Sequence, residues 1–224
     1  YTTLFRSRAY FYFNLVRAYG DVPYFTEMVT TDQVNSLTRT PAQEIFNAII
    51  AECDKLSTEL PADYTKLGLD GIAPAENGRV TCYAALALKA RAALYAASPL
   101  FNPENNKDLW RRAAEANKEV IETCTANGFK LSKYSELWGP NNWSNNEMIF
   151  VRRYNGNIST LEEYNFPMGV PGGNSGNCPT QNMVDAYEMK ATGKMWNETG
   201  SGYDASNPYV GRDPRFDMTI VKNG

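Results

Sequence analysis

The chain has 224 residues, a formal net charge of −3 and a pI near 5.2, and it contains no histidine. The lack of histidine excludes Ser-His-Asp and Cys-His catalytic arrangements and every zinc site that uses imidazole. The acidic balance without a basic stripe argues against nucleic acid as a partner, and no apolar run reaches the roughly 20 residues needed to cross a bilayer.

Two helices are predicted in the first quarter of the chain. Residues 8–19 are apolar on nearly every side, which predicts a helix buried in a large core. A second helix is predicted to begin at Thr40 and Pro41, with Gln43 completing a capping box, and to end before Pro61. Residues 61–79 contain three glycines and read as a long loop.

The next two predicted helices, at 81–98 and 107–126, form a helical hairpin. The first is rich in alanine, which lets neighbouring helices approach closely. We expect the two helices to pack antiparallel and to bury one set of large side chains, namely Leu86, Leu94, Trp110, Val120 and Ile121. Such hairpins are typical of tetratricopeptide-like arrays, but an ordinary helix bundle has the same periodicity.

The composition changes after Leu131, where Gly, Asn, Trp, Tyr and Pro dominate. Short strands are predicted at 147–152 and from residue 219 to 222, and a short helix from Thr180 to Met189. The predicted fold is therefore mainly α, with tetratricopeptide-like helical hairpins, a loop-rich region and a few short strands. We treat residues 1–224 as one domain with a helical part at 8–128 and a loop-rich part at 129–224.

The four cysteines, Cys53, Cys82, Cys124 and Cys178, contain no C-x-x-C pair. Metal binding and thioredoxin-like chemistry are therefore not expected. Three of the cysteines lie in predicted helices, where a small buried hydrophobic role is the default, and disulfides stay open as an alternative. No metal or other cofactor is predicted.

Several blocks of the sequence share their order and rough spacing with one protein family. They comprise an aromatic helix with a Gly-Asp-Val-Pro exit, the alanine-rich helix, its partner, a Glu-x-Ile-Phe segment and two C-terminal motifs, at 8–24, 78–99, 110–121, 146–150, 179–189 and 212–220. In these blocks the chain resembles the SusD/RagB family of outer-membrane nutrient-binding lipoproteins.

This resemblance implies a function as well as a fold. It implies non-catalytic binding of glycans by a lipid-anchored protein on the external face of the outer membrane of a Bacteroidetes-type cell. It also implies a SusC-like TonB-dependent transporter as partner, on which the protein sits like a lid. The lipoprotein signal and the family's C-terminal portion are not recognised in the chain, so we expect a fragment whose lipid anchor lies outside it.

The ligand site is predicted from the residues themselves. Sugar rings present flat C–H faces that pack on aromatic rings, while amides and guanidinium groups bind the hydroxyls. Within the Asn-rich segment 138–166, we predict Trp143, Tyr154 and Tyr164 as the platform, with Asn142 and Arg153 as hydroxyl partners. A second aromatic cluster comprises Trp196, Tyr203 and Tyr209. Loop aromatics also hold loops in place, so a purely structural role stays open for each ring.

Other functions are weighed against glycan binding. A tetratricopeptide-like scaffold could bind proteins or peptides in a groove, and peptide uptake could replace glycan uptake. A glycosidase would need two carboxylates roughly 5–9 Å apart, and the neighbours Glu162 and Glu163 should point apart. Ser175 in its Gly-rich turn lacks a general base. We therefore expect no enzymatic activity, and we interpret Arg212 to Arg215 as a structural turn.

Overall fold

A computed structural model of the chain describes residues 2–64, 79–138, 145–151 and 163–222. It forms two compact units, Tyr1–Arg153 and Tyr154–Gly224. The predicted mainly helical fold class is confirmed. The helices are Thr2–Tyr19 (α1), Thr31–Val34 (α2), Ala42–Glu59 (α3), Cys82–Ala97 (α4), Lys107–Ala126 (α5), Gln181–Asp185 (α6) and Phe216–Thr219 (α7), with a 3-10 helix at Tyr134–Trp138.

Helices α1 and α3 pack antiparallel and are joined at their facing ends by Asp21. The carboxylate of Asp21 accepts a hydrogen bond from the backbone N–H of Ala42 at 2.8 Å. The predicted capping box is therefore wrong, because Asp21 from the preceding segment supplies the cap. Thr40 instead forms an antiparallel bridge with Val22. The Gln43 amide donates to the backbone carbonyls of residues 96 and 101.

Helix α4 lies at the centre of the first unit, antiparallel to both α3 and α5. Lys89 marks this position, because its ammonium group pairs with Asp54 on α3 and with Glu119 on α5. The core around α4 is built largely from alanine, which permits close helix approach. Its most buried members on α4 are Ala90, Ala92, Ala93, Ala96 and Ala97. Although α4 is strongly apolar, no helix in the described ranges is both long and apolar enough to cross a membrane.

The predicted hairpin of α4 and α5 is confirmed, but its predicted contact surface is partly wrong. Leu86 is buried and Val120 packs at the edge of the core, as expected. Leu94, Trp110 and Ile121 are exposed instead. The reason is that α5 turns a small-residue face, Ala113, Ala116 and Cys124, towards the core. The tetratricopeptide-like repeat stays a prediction.

Helix α1 is buried on one face, contrary to the prediction of all-round burial. Its buried face comprises Ala9, Tyr12, Phe13 and Val16, which pack against α3 and α4. The opposite face leaves four large apolar or aromatic side chains exposed, namely Tyr10, Phe11, Leu15 and Tyr19. Two packing neighbours can cover only about half of a helix surface.

Both predicted strands are absent from the described residues. At residues 147–151 the chain turns, because the side chain of Asn145 accepts a hydrogen bond from the N–H of Glu147, whose carboxylate accepts from Ser132. Near the C-terminus, Thr219 ends α7 and Ile220 enters a small core. Arg152 lies outside the described residues.

The short helix after Thr180 is confirmed at its start but ends earlier than predicted. The Thr180 hydroxyl accepts a hydrogen bond from the N–H of Met183, as an N-cap should. The helix ends at Asp185 because Met189 forms a bridge with Arg212. Backbone pairing with a distant segment therefore replaces the last predicted turn.

All four cysteines are free thiols. Cys53 and Cys124 are buried as predicted, Cys82 is partly buried and Cys178 is exposed. Burial raises the pKa of the Cys53 thiol to about 12. A thiol with so high a pKa stays protonated at neutral pH, which fits a packing role rather than a reactive one.

A matched pair of substitutions on α4 tests the observed burial. Leu86 is 6% exposed and Leu94 is 45% exposed. Leu86→Ala should lower the free energy of unfolding by about 2–5 kcal/mol, whereas Leu94→Ala should cost well under about 2 kcal/mol. Urea unfolding followed by circular dichroism measures both. Equal losses, or a larger loss for Leu94→Ala, would contradict the packing.

One ion pair inside the first unit joins α1 to α3. The guanidinium of Arg8 lies 3.2 Å from the carboxylate of Glu52, whose side chain is only 8% exposed. The second carboxylate oxygen is buried without a hydrogen-bond partner in the described part of the chain. Burial raises the pKa of Glu52 above its ordinary value, and the Arg8 charge only partly offsets that rise.

This raised pKa predicts the sign of a pH dependence. The folded state binds the Glu52 proton more tightly than the unfolded state does. The contribution of Glu52 to the free energy of unfolding is therefore fully present below its ordinary pKa of 4.5, and it is lost as the pH rises through the raised pKa of the folded state. As the pH falls from 7 to 4, the free energy of unfolding of the wild-type chain should therefore rise relative to that of Glu52→Gln.

Urea unfolding at the two pH values measures this difference. Glu115→Gln, at an exposed position on α5, is the matched control and should show little change with pH relative to wild type. A wild-type advantage over Glu52→Gln that grows towards pH 7 would refute the assignment.

Candidate functional site

The structure describes one of the five predicted site residues. Tyr164 lies in the second unit, within the helical residues 163–165 that begin the segment 163–177, which is called the Tyr164 loop below. Asn142 and Trp143 fall in the range 139–144, and Arg153 and Tyr154 fall in the range 152–162, so these four lie outside the described residues. Their assignment stays a prediction, and the candidate site is built on Tyr164.

The loop from 163 to 177 folds back on itself through backbone hydrogen bonds. The N–H of Gly176 donates to the carbonyl of Tyr164 at 2.7 Å, and the N–H of Ser175 donates to the carbonyl of Phe166 at 2.8 Å. A third bond joins Asn174 to Glu163 at 3.2 Å. The Ser175 hydroxyl accepts a hydrogen bond from the N–H of Met168, so it stabilises the loop. These bonds set the position of the segment that carries Tyr164.

The ring of Tyr164 rests on Gly176. A Cβ atom placed on Gly176 would lie 1.9 Å from Cε1 of Tyr164, a distance at which a side chain cannot be accommodated. Only glycine therefore lets the ring lie this close to the backbone. Tyr164 is nevertheless 55% exposed. The loop thus supports the ring from one side and leaves more than half of the residue open to solvent.

Asn165 follows Tyr164 in the sequence, and Asn174 and Asn177 lie within two residues of Gly176, on which the ring rests. The Asn177 amide nitrogen donates to the Asn165 side-chain oxygen at 2.6 Å. The Asn174 amide nitrogen donates to the carbonyl of Gly172 at 3.1 Å. A supported aromatic face beside amides offers both apolar contact and hydrogen bonding, which is the combination that a sugar needs.

Sequence reasoning gave too little weight to the apolar side chains of this loop. Phe166, Met168 and Val170 are all exposed. They lie between Tyr164 and the Gly-Gly turn, where nothing in the helical periodicity explains them. Apolar residues in a glycine- and asparagine-rich segment were the available signal, but such residues more often pack inwards.

The second predicted aromatic cluster has a structural role. The rings of Trp196 and Tyr203 meet edge to face with centroids 5.5 Å apart, and Tyr209 stacks on Phe216 at 5.8 Å. The guanidinium carbon of Arg212 lies 5.8 Å from the Tyr203 ring centroid and 5.6 Å from that of Phe216. These rings hold the C-terminal loops together rather than forming an open platform.

Arg212 links the loops around this cluster. Its side chain is buried, and it donates to the carbonyl of Val184 at 2.7 Å and to that of Pro208 at 3.4 Å. Its Nε–H is buried without a partner among the described residues. The neighbouring Asp213 accepts bonds from the backbone and guanidinium of Arg215, and this contact lowers the pKa of Asp213 to about 2. The predicted structural turn is confirmed.

Truncating this buried arginine should therefore destabilise the second unit. Arg212→Ala removes two hydrogen bonds from a charged group and opens a cavity between aromatic rings, which should cost about 2 kcal/mol or more. Arg215→Ala, which breaks an exposed ion pair, should cost about 1 kcal/mol or less. Thermal unfolding of both variants, followed by near-UV circular dichroism of the aromatic rings, makes the comparison. Similar midpoints for the two variants would argue against Arg212 as the link.

The described residues hold no group of three or more His, Cys, Asp or Glu side chains that could hold a metal ion. Of the two adjacent carboxylates weighed as a glycosidase pair, Glu163 is exposed and Glu162 lies outside the described ranges.

Comparison with known proteins gives one consistent result. The family model described as the SusD family matches residues 137–224, which include the Tyr164 loop and Arg212. A curated relative, the SusD-like protein P25 of Formosa agariphila, is 25% identical over 96% of this chain. The chain spans 41% of the length of that relative.

Two solved structures from Bacteroides fragilis are similar to the chain in fold and sequence. A SusD-like carbohydrate binding protein is 27% identical with a TM-score of 0.75, over 97% of this chain and 39% of that one. A second SusD-like protein is 26% identical with a TM-score of 0.68, over 96% of this chain and 41% of that one.

Proposed function

Since the chain belongs to the SusD/RagB family, we propose that it binds glycans at the outer cell surface without turning them over. The observation that carries the proposal is the Tyr164 ring, which is supported by Gly176 and still 55% exposed. A ring held in place from one side presents a flat apolar face on the other, which a ligand can contact. The carbohydrate-binding function given for one of the similar structures points to a sugar as that ligand.

Binding would combine two kinds of contact. The C–H face of a sugar ring packs on the open side of Tyr164, and both surfaces lose water. Amides from the flanking asparagines, together with the predicted Asn142 and Arg153, bond the hydroxyls. Trp143 and Tyr154 stay part of the proposal as further rings for contact with sugars.

The loop favours a preformed site. Its backbone hydrogen bonds join 163–166 to 174–176, so little further ordering is needed when a ligand binds. Preorganisation of this kind lowers the entropic cost of association. The site therefore fits a protein that captures extended glycans on an exposed surface rather than one that encloses a small molecule.

The partner and the location follow from the family. The protein is held at the external face of the outer membrane by a lipid anchor, and it passes glycan to a SusC-like TonB-dependent transporter. A binding role also explains why histidine is not needed, because capture and release require no general acid or base.

A ring-preserving control makes the site assignment testable. Tyr164→Ala should weaken the binding of a neutral oligosaccharide identified on a glycan array by about tenfold, equivalent to roughly 1.4 kcal/mol. Tyr164→Phe keeps the ring and should bind within about threefold of wild type. Isothermal titration calorimetry measures all three proteins.

Gly176→Ala provides an independent test of the same platform. The added methyl group cannot coexist with the observed ring position, so the variant should bind more weakly although Tyr164 is still present. Unchanged binding in both Tyr164→Ala and Gly176→Ala would defeat the site assignment. Release of reducing ends over time by the wild-type chain would defeat the non-catalytic proposal.

A further inference from the structure

Two arginines on neighbouring helices of the first unit converge without a carboxylate partner. Arg17 lies on α1 and Arg91 on α4, and both are exposed. Their guanidinium carbons lie 5.9 Å and 5.6 Å from the centroid of the same Phe13 ring. Neither arginine forms an ion pair with any carboxylate in the described ranges.

Tyr95 lies where the two guanidinium groups meet. Its ring packs edge to face on Phe13 with centroids 5.2 Å apart, and the guanidinium carbon of Arg91 lies 6.0 Å from its centroid. Hydrogen bonding from Arg91 first, and from Arg17 second, lowers the pKa of the Tyr95 phenol. Both arginines therefore lie close enough to the Tyr95 phenol to lower its pKa.

This arrangement differs from the other charge cluster on α4. Lys89, two residues before Arg91, is neutralised by carboxylates from α3 and α5. No acidic side chain among the described residues does the same for Arg17 and Arg91. In a chain of net charge −3, the pair forms a local positive site that lacks an anion.

We propose that Arg17 and Arg91 bind an oxyanion carried by an acidic glycan, either the carboxylate of a uronic acid or a sulfate ester. Guanidinium groups hold such oxyanions through paired, charge-assisted hydrogen bonds. The bound anion takes over the donors that now reach Tyr95.

The surroundings suit a sugar better than a free ion. Tyr10, Asn14 and Arg17 follow one another along a single face of α1 at helical spacing, and Tyr10 is exposed. On α4, Leu94 is exposed next to Tyr95. Apolar and amide groups beside the positive pair can contact the ring that carries the anion. The choice of a glycan rests on the proposed function, but the site is formed by residues of the first unit and uses no residue of the Tyr164 loop.

Binding of charged and neutral ligands to the 224-residue chain tests the proposal. Calorimetry at low ionic strength would compare a uronic-acid oligosaccharide, a sulfated oligosaccharide, a neutral oligosaccharide of the same length, and inorganic sulfate. At least one acidic oligosaccharide should bind about tenfold or more tightly than the neutral one, and added salt should reduce this preference. Whichever of the two acidic oligosaccharides binds more tightly shows whether the oxyanion is a carboxylate or a sulfate ester.

Charge-matched variants locate the effect. Arg17→Gln combined with Arg91→Gln should abolish the preference for the acidic ligand. Arg111→Gln combined with Lys118→Gln, an equal loss of two charges at exposed positions of α5, should leave it intact. Thermal unfolding shows whether each variant is folded, and Arg91→Lys, which keeps the charge but not the paired donors, should bind at an intermediate level.

The Tyr95 phenol supplies a direct readout of the site. Because the bound anion draws the guanidinium donors away, the acidic oligosaccharide should raise the pKa of Tyr95. The pH titration of tyrosinate absorbance is measured for the wild type and for Tyr95→Phe. The difference between the two titrations reports the ionisation of Tyr95 apart from the other tyrosines. An unchanged difference titration at saturating ligand would overturn the proposal.

The remaining outcomes separate this inference from the proposed function. Equal binding of acidic and neutral oligosaccharides, or sulfate binding as tightly as the acidic oligosaccharide, would overturn the acidic-glycan site and leave binding at Tyr164 intact. Loss of neutral binding in Tyr164→Ala with the acidic preference retained would support two separate sites. The absence of any oligosaccharide binding would overturn both.

Discussion

The close approach of α4 to its neighbours is the constraint on which the first unit depends. Alanine side chains on α4 and on the facing side of α5 let the helix backbones come together with little intervening volume. Larger residues then fill the space between α1, α3 and α4, chiefly Phe13, Ile45, Phe46 and Ile49. The same arrangement brings Lys89 between two carboxylates and Arg91 against Phe13. Charge placement on the surface thus follows from packing in the core.

The second unit is held together by different physics. Its described helices are single turns, and its apolar cluster of Val184, Phe216 and Ile220 is small. Backbone hydrogen bonds between loops, a buried arginine and close contacts over glycine supply the remaining order. Such interactions tolerate exposed aromatic rings, because the loop does not need those rings to fill a core. This explains how Tyr164 can be both positioned and open.

The two candidate ligand surfaces share a physical signature. At each, a group lacks the partner that it usually has: the Tyr164 ring is more than half exposed, and no carboxylate in the described part of the chain pairs with Arg17 or Arg91. Leaving such groups uncovered gains nothing for stability in the free protein. At each surface a ligand supplies the missing partner. That partner is apolar at Tyr164 and anionic at Arg17 and Arg91.

Several features of this protein were determined by its sequence alone. Helical periodicity predicted the bounds of α4 and α5 almost residue for residue, because this signal is local. The ordered motifs predicted the similarity to the SusD/RagB family, and loop composition correctly marked Tyr164 as a residue outside any core. Tertiary structure decided what local signals do not contain. It exposed Leu94 and Ile121, because small residues rather than large ones face the α4–α5 contact. It also used Asp21 rather than Thr40 at the start of α3, held the predicted strand at residue 147 in a turn through Ser132, and brought Arg17 and Arg91 to the same Phe13 ring across 74 positions of sequence. Each of these outcomes depends on a neighbour that is distant in sequence, and periodicity and capping patterns carry no information about such neighbours.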